Sequence, residues 1–215
     1  MSAARSAREE GTIVHLVEDD ASSRSATTRA LVAAGYVVRG YESAAGFFAD
    51  APQGPGCVVL DLNLPGLSGL DIQQRLADMA CPLPVVFLTG RGDVPKSVRA
   101  MKAGAVDFLT KPVDVPVLLE AVTRAVARDA ELRADKKHRD EARAKYERLT
   151  PREREVFAHV ISGQLNKQAA FDLGTTEHTV KVHRKRVMEK LEADSVADLI
   201  RLAADLGIQP VGSVR

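Results

Sequence analysis

Acidic residues follow two apolar segments in the first third of the chain. The run 18–20 (EDD) comes directly after TIVHLV, and Asp61 comes directly after CVVL. Two later apolar segments lead to Thr89 and Lys111. Carboxylates brought together repel one another unless a cation lies among them, and oxygen ligands of this kind suit Mg²⁺. A carboxylate can also accept a phosphoryl group, which a hydroxyl and an ammonium group help to position and neutralise. These residue types therefore point to Mg²⁺-dependent phosphoryl transfer to an aspartate.

Five short apolar segments alternate with helical patterns and must bring these residues together. The predicted strands are 12–18, 36–41, 57–61, 84–89 and 106–110. This alternation predicts βαβ units and a doubly wound parallel α/β sheet that helices cover on both faces. Functional groups of such sheets gather beyond the carboxyl ends of the strands. We therefore expect the acidic residues, Thr89 and Lys111 to share one edge of the sheet.

The composition changes at about residue 128. The segment RDAELRADKKHRDEARAKYER carries charges of both signs, lacks Pro and Gly, and predicts a helix. Two interpretations stay open: a solvated helical spacer, or a signalling helix that pairs with its copy in a dimer. The helix is predicted to start earlier, near Asp114, and an apolar stripe supports pairing in its first half. Its members are Leu118, Val122, Ala125 and Leu132.

Only helical patterns follow residue 148. The motif LTPREREVF predicts a capping box of Thr150 and Glu153, with Pro151 at the first helical position. In a later helix the predicted inward stripe consists of Val180, Val187 and Leu191. Its basic residues flank that stripe or face outward; they are Lys181, Arg184, Lys185 and Arg186. Basic side chains beside an exposed valine, Val182, suit phosphates, guanine edges and a thymine methyl group. The alternative is an ordinary solvated helix face.

The overall composition sets only broad limits. The chain has 215 residues and a formal net charge of +1. It lacks an apolar stretch long enough to span a bilayer and has no secretory signal pattern, which predicts a cytoplasmic protein. Cys57 and Cys81 lack metal-ligand spacing and are interpreted as reduced thiols in or near the core.

Four motifs resemble the receiver domain of two-component response regulators over about 12–127: HLVEDD, VVLDLNLPGLSGLD, VVFLTGRGDV and AVDFLTKPV. The resemblance implies a flavodoxin-like fold and phosphorylation of Asp61 by a sensor histidine kinase. It implies metal ligands at Glu18, Asp19, Asp61 and the backbone carbonyl of Asn63. It also implies a switch pair, Thr89 and Phe108, and a lysine, Lys111, that pairs with the phosphoryl group. Glu18 stands where many relatives have aspartate, and its longer side chain suits a water-mediated contact with Mg²⁺. Family members often have a cis peptide at the position of Lys111–Pro112.

The stretch from LTPREREV to KVHRKRVMEKL resembles the LuxR-type helix-turn-helix of the NarL/FixJ group of response regulators, over about 148–210. The resemblance implies that 176–191 is a recognition helix set in the major groove of double-stranded promoter DNA. Base contacts are implied for Lys181, Val182 and Lys185. Positioning of the backbone or of the helix is implied for Asn166, Thr179, His183 and Arg184. The segment 128–147 then becomes a charged helical linker.

The predicted protein is a transcriptional regulator that phosphorylation activates, not an enzyme beyond catalysing its own phosphorylation and dephosphorylation. Phosphorylation is expected to favour a symmetric homodimer through Val98, Lys102 and Asp107. Two alternatives remain. A haloacid-dehalogenase-like hydrolase would commonly have a second aspartate where Asn63 stands. A DNA-binding protein whose receiver works without phosphate would not need the full acidic set.

Overall fold

The computed structural model describes residues 11–50, 52, 54–78, 83–90 and 94–212 of the chain. The chain divides into two compact units, Met1–Arg133 and Ala134–Arg215.

The first unit is a parallel sheet covered by helices. Its described strands are β1 (Ile13–Val17), β2 (Val37–Tyr41), β3 (Gly56–Asp61), β4 (Val85–Thr89) and β5 (Asp107–Thr110). Its helices are α1 (Ala21–Ala33), α2 (Ala44–Ala49), α3 (Gly69–Asp78), α4 (Val94–Lys102) and the start of α5 (Val115–Glu147). The strands are all parallel, in the order β2-β1-β3-β4-β5. The predicted doubly wound fold is confirmed, and the strand order reverses between β1 and β3, where such folds place their sites.

Strand β3 is the centre of this unit, because all six of its residues are buried. Successive side chains of a strand point to opposite faces, so β3 contributes to two cores. Val58 and Leu60 belong to the core that contains Phe47 and Phe87. Cys57 and Val59 belong to the core that contains Leu31 and Leu118. Cys57 is thus a core thiol, and burial raises its pKa to about 12; Cys81 lies outside the described residues.

The apolar stripe of α5 packs on the sheet. Leu118, Val122 and Ala125 are buried in the second core, against Leu31 and Val59. The interpretation of these three residues as a surface for pairing with another copy is therefore wrong. Hydrophobic spacing shows that a helix buries one face, but it does not show which surface covers that face.

The charged segment from residue 128 is helical, as predicted, but part of it is tied to the sheet. Asp129 is 1% exposed, and its Oδ2 accepts hydrogen bonds from the Gly56 amide at 2.9 Å and from Arg133 Nε at 2.7 Å. The Arg133 guanidinium also donates to the Gly54 carbonyl. These contacts hold α5 against the amino end of β3.

The second unit is helical in its described part. After the end of α5 come α6 (Pro151–Ile161), α7 (Asn166–Asp172), α8 (Glu177–Leu191) and α9 (Val196–Leu206). The predicted capping box of Thr150 and Glu153 opens α6, and Thr176 caps α8. Gly174 makes the turn between α7 and α8 with a φ of 61°, a conformation that favours glycine. The predicted inward stripe of α8 is confirmed, since Val180, Val187 and Leu191 are buried with Phe157 and Leu199.

No helix in the described part of the chain is both long enough and apolar enough to cross a bilayer.

Candidate functional site

The ends of β1 and β3 bring three carboxylates together. Glu18 and Asp61 are 1% and 6% exposed, and Asp19 is exposed. Each offers one oxygen, and these oxygens lie within 4.8 Å of one another. The strand register explains this, because Val17 pairs with Leu60 one residue before each acidic position. Clustered carboxylate oxygens are the donor set that hard divalent cations prefer, so these residues fit Mg²⁺.

Lys111 bridges two of these carboxylates. Its Nζ donates to Glu18 Oε2 at 2.5 Å and to Asp61 Oδ2 at 2.6 Å. Burial by itself lowers the pKa of Lys111, but the hydrogen bonds and charges of Asp61 and Glu18 outweigh it and raise that pKa. The Lys111–Pro112 peptide is cis, and the Lys111 amide donates to the Thr89 carbonyl at 2.6 Å. The structure thus brings Lys111 to the predicted nucleophile as an ammonium group.

Both the carboxylate and the backbone of Asp61 are held by neighbouring residues. The Asn63 amide donates to Asp61 Oδ1 at 2.9 Å, so Asn63 lies against the carboxylate. A Cβ atom at Gly69 would approach the Asp61 carbonyl oxygen and the Phe87 ring to 2.8 Å each. Only glycine fits there without displacing β3 or β4.

Thr89 is the last residue of β4 at this edge, whereas Phe108 lies within β5, where it pairs with Phe87 of β4. Thr89 is buried, and its hydroxyl donates to the Gly90 carbonyl at 3.1 Å. In the described structure that hydroxyl makes no hydrogen bond to the three carboxylates. Phe108 is half-buried, with its ring centroid 6.2 Å from that of Phe87. Space next to Gly90 is open, since a Cβ there would meet no atom within 4 Å.

The first turn of α1 adds two residues that the sequence reasoning missed. Ser23 Oγ donates to Glu18 Oε2 at 3.0 Å. Arg24 Nη1 donates to the backbone carbonyls of Glu18 at 2.6 Å and of Asp19 at 3.1 Å. A hydroxyl and a guanidinium in the helical turn after an acidic run were the available signal.

The three residues predicted for a dimer surface differ in exposure. Val98 and Lys102 of α4 are exposed. Asp107 is half-buried and already occupied: its Oδ1 accepts the Phe108 amide at 2.8 Å, and its Oδ2 accepts the Arg124 guanidinium. For Asp107 to contact a second copy of the chain, its ion pair with Arg124 would have to break.

The predicted nucleic-acid contacts lie on α8 and at the start of α7, and they fall into two groups. Lys181, Val182 and Lys185 are exposed, which suits contact with another molecule. Three of the others are engaged within the second unit: Arg184 Nη1 donates to Asn166 Oδ1 at 3.2 Å, and Thr179 contacts the cap residue Thr176 at 2.8 Å. His183 is half-buried, and among the described residues its buried Nδ1 has no hydrogen-bond partner.

Glu153 links two helices of the second unit, α6 and α8. It is 2% exposed and accepts a hydrogen bond from Lys190 Nζ at 2.6 Å. Burial raises the pKa of Glu153, but hydrogen bonds from Lys190 and Thr150 outweigh it, so the pKa is lowered.

Two family models match the chain. The response regulator receiver domain matches residues 14–123, and the luxR family of bacterial regulatory proteins matches residues 147–203. The first match covers the parallel sheet, and the second covers helices α6, α7 and α8 and much of α9.

Curated relatives match over nearly the whole chain. Nodulation protein W of Bradyrhizobium diazoefficiens is 45% identical over 91% of this chain and 87% of that protein. Transcriptional regulatory protein FixJ of Rhizobium meliloti is 39% identical over 92% of this chain and 97% of that protein. Among solved structures, the response regulator StyR has a TM-score of 0.77 and 39% identity, covering 90% of this chain and 98% of that one.

A receiver domain implies a histidine kinase as partner, and a LuxR-type helix-turn-helix implies DNA binding. Together, the parallel sheet with its acidic edge, the recognition helix and the end-to-end similarity to known regulators show that the chain belongs to the NarL/FixJ family of two-component response regulators, which are phosphorylation-dependent regulators of transcription.

Proposed function

We propose that Asp61 accepts a phosphoryl group from a phosphohistidine of a sensor kinase and that this switches DNA binding. The observation that carries the proposal is that Asp61 lies between the ammonium group of Lys111 and two further carboxylates, Glu18 and Asp19. Lys111 Nζ lies 2.6 Å from its Oδ2, and the Glu18 and Asp19 carboxylates lie within reach of the same cation. Such a site lowers the charge repulsion between an aspartate and an incoming phosphoryl group.

The transfer is a displacement at phosphorus. An Asp61 carboxylate oxygen forms the new P–O bond while the P–N bond to histidine breaks, and the histidine nitrogen leaves with its electron pair. Lys111 donates hydrogen bonds to the phosphoryl oxygens, because it already reaches the Asp61 carboxylate. Glu18, Asp19, Asp61 and the Asn63 carbonyl would hold Mg²⁺, which supplies charge neutralisation for the phosphoryl oxygens. Hydrolysis of the acyl phosphate at the same site resets the protein, so its catalysis acts only on itself.

Thr89 and Phe108 are proposed to pass on the change. The Thr89 hydroxyl would turn from the Gly90 carbonyl to a phosphoryl oxygen, and the half-buried Phe108 ring would move into the space it leaves. The resulting surface of Val98, Lys102 and Asp107 would pair with a second copy about a twofold axis. Two recognition helices would then reach successive half-sites of promoter DNA.

The second unit is proposed to contact DNA through the exposed face of α8. Lys181, Val182 and Lys185 would meet base edges, with Asn166, Thr179, His183 and Arg184 setting the backbone contacts and the helix position. The bounds 12–127, 128–147 and 148–210 remain our proposal for receiver, linker and DNA-binding domain.

The test uses the purified full chain with acetyl phosphate and Mg²⁺. Wild type should gain the mass of one phosphoryl group, dimerise and bind promoter DNA more tightly. Asp61→Asn should do none of these, whereas Asp78→Asn, an exposed aspartate at the end of α3, should behave as wild type. Equal dimerisation and DNA binding by wild type and Asp61→Asn would contradict the switch and favour a receiver that works without phosphate. Steady turnover of a small phosphate ester would favour the hydrolase.

A further inference from the structure

Glu18 has one more methylene than the aspartate common at its position, and the structure shows how its carboxylate is held. Glu18 is buried, and its Oε2 accepts two hydrogen bonds, from Lys111 Nζ at 2.5 Å and from Ser23 Oγ at 3.0 Å. Its Oε1 accepts only a long contact, 3.4 Å, from the Asp20 amide among the described residues. One oxygen is thus committed to the protein, and the other is the one available to a cation or to its bound water.

Ser23 is itself fixed by the start of α1. Asp20 is the N-cap of this helix, and its Oδ1 accepts the Ser23 amide at 2.6 Å. The Arg24 amide donates to the Asp20 carbonyl at 2.9 Å, while the Arg24 guanidinium returns to the carbonyls of Glu18 and Asp19. The acidic run and the first helical turn therefore hold one another, and the Ser23 hydroxyl is the only side-chain group in this turn that contacts the Glu18 carboxylate among the described residues.

We infer that Ser23 is a positioning residue for the divalent-ion site: its hydroxyl fixes the longer Glu18 side chain so that one carboxylate oxygen stays with Lys111 and the other faces the cation. This inference rests on the ion site proposed above. Lys111 and Ser23 approach the same oxygen of Glu18 from two different elements, and this second hydrogen bond restricts rotation of the carboxylate about its additional bond. A ligand whose orientation is restricted in this way binds a metal more tightly. Hydrogen bonds to the non-ligating part of a metal-bound group commonly set metal affinity by about 10- to 100-fold.

The experiment measures binding of Mn²⁺, a paramagnetic stand-in for Mg²⁺, to the full chain by electron paramagnetic resonance, without any phosphodonor. Ser23→Ala should raise the Mn²⁺ Kd by about tenfold, at the low end of the range for such supporting residues. Ser23→Thr keeps the hydroxyl and should stay near the wild-type Kd. Ser22→Ala, an exposed serine one position earlier in the same turn, is the matched control and should leave the Kd unchanged. Circular dichroism and thermal unfolding check that each variant is folded.

A coupling measurement separates positioning from general structural support. In a Glu18→Asp background we expect the shorter carboxylate not to reach Ser23, so adding Ser23→Ala should change the Mn²⁺ Kd less than about twofold. An equal loss in both backgrounds, or a wild-type Kd for Ser23→Ala, overturns the role of Ser23 while leaving the ion site intact. Absence of saturable Mn²⁺ binding by wild type overturns the proposed ion site and, with it, this inference.

Discussion

The edge of the receiver sheet and the outer face of α8 each contain several charges of one sign. At the sheet edge two of these charges are buried and paired, whereas on α8 they are exposed to solvent. At the sheet edge Glu18 and Asp61 are buried, and Lys111 bonds to both. On α8 Lys181 and Lys185 project into water, and Lys185 Nζ lies 3.7 Å from Glu189 Oε1.

This difference follows from what each charge must do. A group that reacts with one phosphorus atom must be held in place and partly desolvated, because fixed dipoles and charges act most strongly away from water. A group that recognises a polyanion can stay hydrated until binding, when it displaces counterions from the phosphates. Buried charges should therefore govern folding, and exposed ones should govern binding.

The largest effect is expected from removing the cation between the buried carboxylates. Lys111→Met leaves Glu18 and Asp61 close together without a counter-charge, so we expect the free energy of unfolding in EDTA to fall by about 4 kcal/mol. Added Mg²⁺ should recover much of this loss, because it binds the folded state. Urea unfolding with and without Mg²⁺ measures both.

Lys185→Met is the matched control for Lys111→Met. The Lys185 side chain is 79% exposed, and its removal should change the free energy of unfolding by less than about 0.5 kcal/mol. If both lysines proved equally important for stability, the contrast between buried and exposed charge would fail.

Two histidines extend the contrast to pH. His15 is buried beside Tyr41 Oη at 3.0 Å, and burial together with the nearby Arg39 charge lowers its pKa to about 4, partly offset by Asp50. Well above pH 6.5 His15 is neutral in both the folded and the unfolded state and adds no pH dependence. As the pH falls from 6.5 towards 4, the unfolded chain takes up this proton first, so stability should drop by up to about 3 kcal/mol.

Urea unfolding of His15→Gln across this pH range should show a shallower loss of stability than wild type. His178→Gln, which replaces an exposed histidine of α8, is the matched control variant. A His15→Gln curve parallel to that of wild type would show that this histidine is not the source of the acid sensitivity.

Helix α8 contains one lysine that is paired with a buried carboxylate and another that is exposed, which allows the comparison to be made within one helix. Lys190 bonds to the buried Glu153, whereas Lys185 is exposed. Because the Lys190 side chain is itself 35% exposed, Lys190→Met should cost about 2 kcal/mol, less than the loss of Lys111. The pKa of Glu153 is depressed in the folded state, so this ion pair contributes stability above the ordinary pKa of glutamate and loses it as the pH falls. Below that pH, Lys190→Met and Lys185→Met should therefore differ less in their free energies of unfolding.

The smallest effects on folding and the clearest on binding are expected at the exposed face. Lys181→Ala and Lys185→Ala should each weaken DNA binding by about 1–3 kcal/mol and leave unfolding unchanged. Gel-shift titrations at several salt concentrations measure this. A variant that lost a phosphate contact should also reduce the salt slope by about one unit, whereas one that lost a base contact should relax sequence preference.

Apolar rhythm and strand-end residues were sufficient to predict the sheet and much of its site. The predicted strands agree with the observed ones to within a residue at each end, and the expected meeting of Glu18, Asp61 and Lys111 follows from parallel register. The role of the stripe on α5 was not readable, because Leu118 and Val122 would look the same against a sheet or against a second helix.

The burial of Asp129 could not be predicted from the sequence either, because it lies in a highly charged segment whose composition is typical of a solvated helix. Its main partners are a backbone amide and a neighbouring arginine, and a backbone donor leaves no mark in the pattern of side chains. Ser23 was missed for a related reason: its partner depends on the direction in which the first turn of α1 leaves the acidic run.

The contact of Asp129 and Arg133 with the start of β3 bears on how a receiver can be prepared alone. A fragment ending at residue 127 would lack both side chains, so the Gly56 amide and the Gly54 carbonyl would lose their hydrogen-bond partners. A fragment extended through Arg133 keeps them and retains the native anchorage of the strand that ends in Asp61. For calorimetry or crystallisation of the isolated domain, the fragment with the six additional residues should be more stable and closer to the native structure than the shorter one.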